Sequence, residues 1–257
     1  MFQDFFLGFL IGLANLVPGI SGGTIAVISG KYEQLLTSVS DFISFKFNKK
    51  MLMFLLMLFL GAGVSVIGFS KVITYLFSNF EIYLVGTFVG LIFGGIVYLF
   101  KKINLKSKTN LLTIISSIII FLIIFFMLPS TKANGNLNFF YLIFAGIIGA
   151  ATMVLPGISG SSMLLIMGVY EPFIKAISEF DMTIILPVGI GVIIGLIFIV
   201  KLLDFLLKKN EQVVMSFLIG LTIAGTVKIF PHLNFLVIVF IFVGFYLGYI
   251  MEKIFQK

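Results

Sequence analysis

Two short stretches of this 257-residue sequence hold the residues best placed to do chemistry. Residues 18–33 read PGISGGTIAVISGKYE and residues 156–171 read PGISGSSMLLIMGVYE, with nine of sixteen positions identical and no gap. In each, a Pro-Gly step interrupts an apolar run and is followed by hydroxyls and more glycine. The first copy supplies Pro18, Gly19, Ser21, Gly22, Gly23 and Thr24, and the second Pro156, Gly157, Ser159, Gly160, Ser161 and Ser162. Proline removes an amide donor and glycine lets the chain reverse, so one half-helix ends here and another begins. A helix start offers free amides and partial positive charge, suited to phosphate or carboxylate. Hydroxyl donors add to that, and glycine lets backbone come close to the anion. This is chemistry for holding an anion. A plainer alternative is that Pro-Gly only kinks a helix whose freed carbonyls the serines satisfy. The second copy favours the binding reading.

Charged residues within apolar runs come next. Lys71 and Lys201 occupy equivalent positions in the two halves, each six residues from the end of its run. At about 1.5 Å per residue each lies roughly 9 Å inside. They either snorkel to the interface or form a cationic station for a phosphate on each side. Asp204, three residues after Lys201, can pair with it along one helix face. Lys228, nearer the end of its run, reads as a snorkelling residue. Glu33 and Glu171 directly follow the motifs and are candidates for pairing with lysine, capping a helix or carrying a proton during transport. The chain has no cysteine, no arginine and one histidine, His232, with no acidic cluster around it. Disulfide, thiol and metal chemistry are therefore unsupplied. No catalytic residue, metal site or cofactor is implied.

The frame around these residues is strongly apolar. Hydrophobic residues make up 60% and charged residues only 11%, against about 25% charged in soluble domains, and the mean hydropathy is +1.24. This predicts an all-α polytopic membrane protein. Phenylalanine (32 residues, with no tryptophan) suits a lipid-facing surface. The net charge of +7 comes from 17 basic residues, all lysine. Most sit in short loops, where they act as topology signals and partners of anionic head groups, not of nucleic acid. Met1-Phe2-Gln3-Asp4 carries no basic n-region, so no cleaved signal peptide is expected.

Runs long enough to cross about 30 Å of hydrocarbon lie at 51–77, 82–100, 111–129, 184–207, 212–230 and 234–252. Regions 5–30 and 139–169 are the two broken by Pro-Gly. If both enter and leave on one side, the loops 31–50, 101–109 and 208–211 and the C-terminal tail share a face and hold twelve lysines. The other face holds Lys132, Lys175 and the acidic Glu171, Glu179 and Asp181. The positive-inside rule then puts both termini in the cytoplasm. After an eight-residue slip the repeat extends from Lys71 and Lys201 to the pairs Glu81/Glu211, Gly90/Gly220 and Gly95/Gly225. Three full spans separate the motifs, which turns the second copy over. The expected layout is one membrane domain over 1–257, with two inverted repeats (1–110 and 139–257) joined by a linker helix and loop at 111–138. Each repeat is a re-entrant hairpin plus about three transmembrane helices. Gly86, Gly90 and Gly94 predict a close helix–helix contact.

The paired PGISGGT…GKYE and PGISGSS…GVYE segments resemble the PopT-type undecaprenyl-phosphate translocases over nearly the whole chain. The resemblance implies a bacterial inner-membrane flippase that returns undecaprenyl phosphate from the outer to the inner leaflet, for reuse in peptidoglycan and other envelope polymers. Many relatives carry a basic residue just after the first Tyr-Glu pair; here that position is Gln34, and Lys31 or Lys71 are the substitutes. Two alternatives stand beside it. Integral-membrane polyprenyl-pyrophosphate phosphatases also combine inverted repeats with Pro-Gly-x-Ser, but with an arginine and catalytic glutamates. Here Gly22 and Gly160 follow the motif serines. A carrier of a small soluble anion is the other.

Overall fold

The computed structural model describes residues 1–17, 19–127 and 137–255, so Pro18 and Lys132 lie outside the described residues. Those described form ten helices and no strand. The first five are α1 (Phe2–Leu16), α2 (Gly22–Ile28), α3 (Tyr32–Ile43), α4 (Lys49–Lys102) and α5 (Lys108–Met127). There follow α6 (Phe139–Val154), α7 (Gly160–Ile166), α8 (Tyr170–Glu179), α9 (Met182–Lys228) and α10 (Phe235–Phe255). Lengths of 15, 7, 12, 54 and 20 residues are followed by 16, 7, 10, 47 and 21. The sequence repeat therefore reappears as a repeated order of elements. Within it α5, expected as a linker helix, stands where α10 stands in the second series.

The motifs break the chain where their residue types require. Gly19 (φ +84°) and Gly157 (φ +80°) hold the left-handed conformation that ends α1 and α6, which costs a residue with a Cβ about 1–2 kcal/mol. Ser21 then caps α2, its hydroxyl accepting from the Gly23 amide at 3.1 Å.

A straight α4 would be about 81 Å long, far more than a bilayer's hydrocarbon core. It breaks at Phe80 (φ −138°, ψ 31°), and α9 breaks at Asn210 (φ −155°, ψ 75°). Met51 and Phe54 at one end of α4 line the same cavity as Tyr98 and Lys102 at the other, so α4 folds back on itself. Each long helix is thus two arms, as the separate runs at 51–77 and 82–100, and at 184–207 and 212–230, anticipate.

Glycine lets these arms approach their neighbours. A Cβ on Gly8 of α1 would strike the Leu58 backbone, and one on Gly146 of α6 would strike the Val188 backbone. Conversely, Gly61 lies on the Phe5 carbonyl and Gly191 on the Ile143 carbonyl. These are equivalent positions in the two series. The second arms exchange partners between halves: α10 closes on α4, where Gly90 and Gly94 meet the backbone of Ile241 and Phe245, and α5 closes on α9, where Gly220 meets Ile114 and Ser117. In lipid, close packing through small residues replaces the hydrophobic drive.

The outward surface is apolar. Ile67, Phe140 and Phe126 are 85%, 80% and 78% exposed, which suits a hydrocarbon environment and not water. The lysine-bearing loops gather at one end. Lys31, Lys49, Lys50 and Lys102 line one cavity with Met1 and Phe255. Gln212, beside the break in α9, accepts from the Asn104 amide at 2.8 Å and donates to the Lys102 carbonyl at 3.0 Å.

Candidate functional site

The two broken segments meet tip to tip, and the contact is made of the motif residues themselves. Thr24 Oγ1 accepts a hydrogen bond from the Gly157 amide at 2.9 Å. Ser21 Oγ lies 3.4 Å from both the Met153 and Leu155 carbonyls, a long, shared contact at the end of α6. Tyr32, buried at the start of α3, donates its hydroxyl to the Val154 carbonyl at 3.0 Å. Asn15 accepts from the Gly22 amide at 2.8 Å. Gly23 packs so closely that a Cβ would stand 2.7 Å from the Val154 carbonyl. The first tip thus spends its polar groups on backbone that the breaks leave unpaired, its own and the second tip's. Unpaired, such buried groups cost about 1–3 kcal/mol each.

The second tip is disposed differently. Ser159 and Ser162 are partly exposed and Ser161 is exposed, while Pro156 and Gly160 are buried. Ser159 and Ser161 hydroxyls are 2.7 Å apart. A small cavity of about 30 Å³ lies between the tips, lined by Gly19, Gly157, Ser159, Ser162, Gly225 and Lys228 among others. The space admits about one or two waters, so a phosphate requires the tips to part. Hydroxyls, glycine backbone and one ammonium group converge there, and no carboxylate lines it among the described residues.

Lys71 and Lys201 are not brought to the tips. Both are exposed on the outer surface, Lys201 in an apolar groove with Ile197, Phe198 and Phe205. Glu33 and Glu171 are exposed in the first turns of α3 and α8, where a carboxylate is stabilised by the helix dipole. Asp204 pairs with Lys208 at 2.7 Å and not with Lys201. It also accepts from Thr37 and Ser40 of α3, each at 2.9 Å.

Sequence reasoning missed the place of three residues. Lys228, read from the sequence as a snorkelling residue, lines the tip cavity, since the second arm of α9 ends beside Gly157; its equivalence to no other charge gave no signal of a site. Tyr32 was visible only as part of the repeat, and Asn15 carried no signal.

With this geometry in view, comparison with known proteins becomes specific. The model of the undecaprenyl phosphate translocase-like family matches residues 11–245. The chain belongs to this family. Similar curated members are the polyprenyl-phosphate transporters of Vibrio cholerae, 32% identical over 241 residues (87% of this chain and 76% of that one), and of Staphylococcus aureus, 33% identical over 242 residues (88% and 85%). Both bear the name of a transporter, not of an enzyme. No solved structure matches the chain. Family membership and an apolar helical surface make this a membrane protein of the translocase-like family.

Proposed function

We propose that the protein transports a polyprenyl phosphate, specifically undecaprenyl phosphate, across the cytoplasmic membrane and returns it from the outer to the inner leaflet by alternating access. The observation that carries the reading is the meeting of two broken helices whose motif hydroxyls are satisfied on one side and line a cavity on the other. The cradle is the second tip: Ser159, Ser161 and Ser162 donate to phosphate oxygens, Gly157 and Gly19 let backbone approach, and Lys228 supplies charge. The first tip, through Ser21, Gly22, Gly23 and Thr24, braces it.

An inverted arrangement of the halves is supported by direction. α1 starts at the lysine-rich end and runs away from it. α6 follows the first arm of α9, which ends at Asn210 beside Gln212 and Lys102, and so runs toward that end. Re-entry is supported by return: Met1 and Asp4 line the same cavity as Gly30 and Lys31. The lysine-rich end is assigned to the cytoplasm by the positive-inside rule.

Moving an anion toward the negative cytoplasm is uphill by about 2.3 kcal/mol per charge at 100 mV. Proton co-movement, with Glu33 or Glu171 as carrier, offsets this. Lys71 and Lys201 sit on the lipid face and anchor the helices by snorkelling.

The test is transport of undecaprenyl phosphate by purified protein in liposomes. Expected is saturable movement that falls with the Ser159→Ala/Ser162→Ala double variant and rises with an inward proton gradient. A double variant at full rate removes the cradle, and a rate indifferent to pH removes the coupling. Release of phosphate from undecaprenyl pyrophosphate would make the protein an enzyme instead.

A further inference from the structure

A cavity of about 1260 Å³, separate from the tips, opens at the lysine-rich end. Four lysines line it: Lys31, Lys49, Lys50 and Lys102. Two carboxylates oppose them, and one of these, Asp4, already pairs with the amino terminus at 3.0 Å; the other is Asp41. Two of the lysines are oriented by neighbours on the wall. Lys31 Nζ donates to Gln34 at 3.3 Å, and the Lys102 ammonium lies 5.2 Å from the centre of the Tyr98 ring. The space therefore has a strong positive bias and room for an anion with its waters.

A second space adjoins it. An apolar groove of about 340 Å³ runs along the outer face of α4 past Phe47, Leu52 and Leu56, and it shares Asn48, Lys49 and Met53 with the cavity wall. Beside the shared wall the last turn of α3 and the loop after it carry three rings in contact. Phe42 and Phe45 stand edge-on to Phe47 with centroids 5.5 and 5.9 Å apart. Phe45, 82% exposed and held at φ +56°, projects outward. Such a cluster among lysines belongs at a membrane interface.

We propose that cavity and groove together form a binding site for a prenyl monophosphate in the leaflet at the lysine-rich end, the phosphate among Lys31, Lys49, Lys50 and Lys102 and the first isoprene units along Leu52 and Leu56. The proposal rests on the transport reading and gives that pathway its receiving station. Charge complementarity and the shared wall select the occupant. A phosphomonoester near neutral pH carries about −1.5 to −2 charge, which suits several cations. Free phosphate would leave the groove unused, and a neutral prenol would leave the lysines unused. An amphiphile with both parts fills both.

The protein has no tryptophan, so Leu52→Trp, or Leu56→Trp as a second reporter, places a single fluorophore in the groove. The full chain carrying it, in nanodiscs of phosphatidylcholine, is titrated with farnesyl phosphate. Expected is a saturable fluorescence change, weakened at least about tenfold by Lys49→Gln/Lys50→Gln and unaltered by Lys106→Gln/Lys108→Gln, which neutralises the neighbouring loop. Inorganic phosphate and farnesol do not compete. A lysine-pair variant that binds like its parent overturns the site. So does equal displacement by phosphatidylglycerol, which would make it a general anionic-lipid contact, or by inorganic phosphate. Transport of undecaprenyl phosphate with a silent reporter overturns the site and leaves the transport reading standing; failure of both overturns both.

Discussion

The two tips are written in nearly the same residues and do different things. Ser21 and Thr24 correspond to Ser159 and Ser162, yet the first pair is 4% and 1% exposed while the second opens on a cavity. Surroundings make the difference. α2 packs against α4, α6 and α10 as well as its chain neighbours, whereas α7 packs chiefly against α6 and α8. Thr24 therefore meets the Gly157 amide, and Ser162, its counterpart, lines the small cavity between the tips. The same asymmetry appears outside the tips. Asp204 ties α3 to α9, but the position equivalent to Asp204 in the first half is Thr74, so no such carboxylate is available to tie α8 to α4. A motif that pairs with backbone in one copy and faces a cavity in the other is what a two-state carrier needs if the copies exchange roles during transport. Similar sequence, here, takes two different environments.

The largest effect expected from breaking this comparison is at the two left-handed glycines. Gly157→Ala combines a disfavoured φ with collision against the Leu221 backbone, and about 3 kcal/mol or more of stability is lost. Gly19→Ala meets only the Ile229 side chain and loses about 1–2 kcal/mol. Thermal unfolding in detergent ranks the two. Next comes the hydroxyl pair. Thr24→Val strands the Gly157 amide and costs about 1–3 kcal/mol, whereas Ser162→Ala stays within about 0.5 kcal/mol but slows transport about tenfold. Melting and liposome flux on the same preparations separate these outcomes.

A smaller effect is expected at the tie between α3 and α9. Asp204→Asn removes the Lys208 ion pair and one acceptor oxygen, a loss of about 1 kcal/mol. Hydrogen exchange should quicken in α3 with α8 unchanged; equal quickening in both would show that Asp204 is not a one-sided tie. The smallest change is at the lipid face. Lys71→Gln and Lys201→Gln keep transport within about twofold of wild type, because a snorkelling lysine contributes anchoring and no substrate contact. A loss comparable with that of Ser162→Ala would return these lysines to the pathway.

Much of the scaffold was legible in the sequence because its determinants are local. Pro-Gly and the left-handed glycines set the breaks, the 51–77/82–100 and 184–207/212–230 runs set the arms, and Gly90 and Gly94 announced the contact that α10 makes. The repeat itself carried the correspondence of Gly8 with Gly146, which the structure renders as the same helix contact twice. What could not be read is non-local. Nothing near Ser21 or Ser159 says which tip is covered, since that depends on α4 and α10. The partner of Asp204 on its own helix is Lys208 and not Lys201, because α3 packs where Thr37 and Ser40 can reach the carboxylate. Lys228 became part of the cavity only when the second arm of α9 was placed against Gly157.

Because the chain has no cysteine, single cysteines at the equivalent positions Thr24 and Ser162 give the most direct test. Labelling by a membrane-permeant thiol reagent in liposomes, with and without undecaprenyl phosphate, compares the two tips in one experiment. The account predicts that Ser162→Cys labels readily and is protected by the lipid phosphate, while Thr24→Cys labels slowly and independently of it. Equal labelling of both, or labelling of Ser162→Cys that the lipid phosphate leaves untouched, would contradict it.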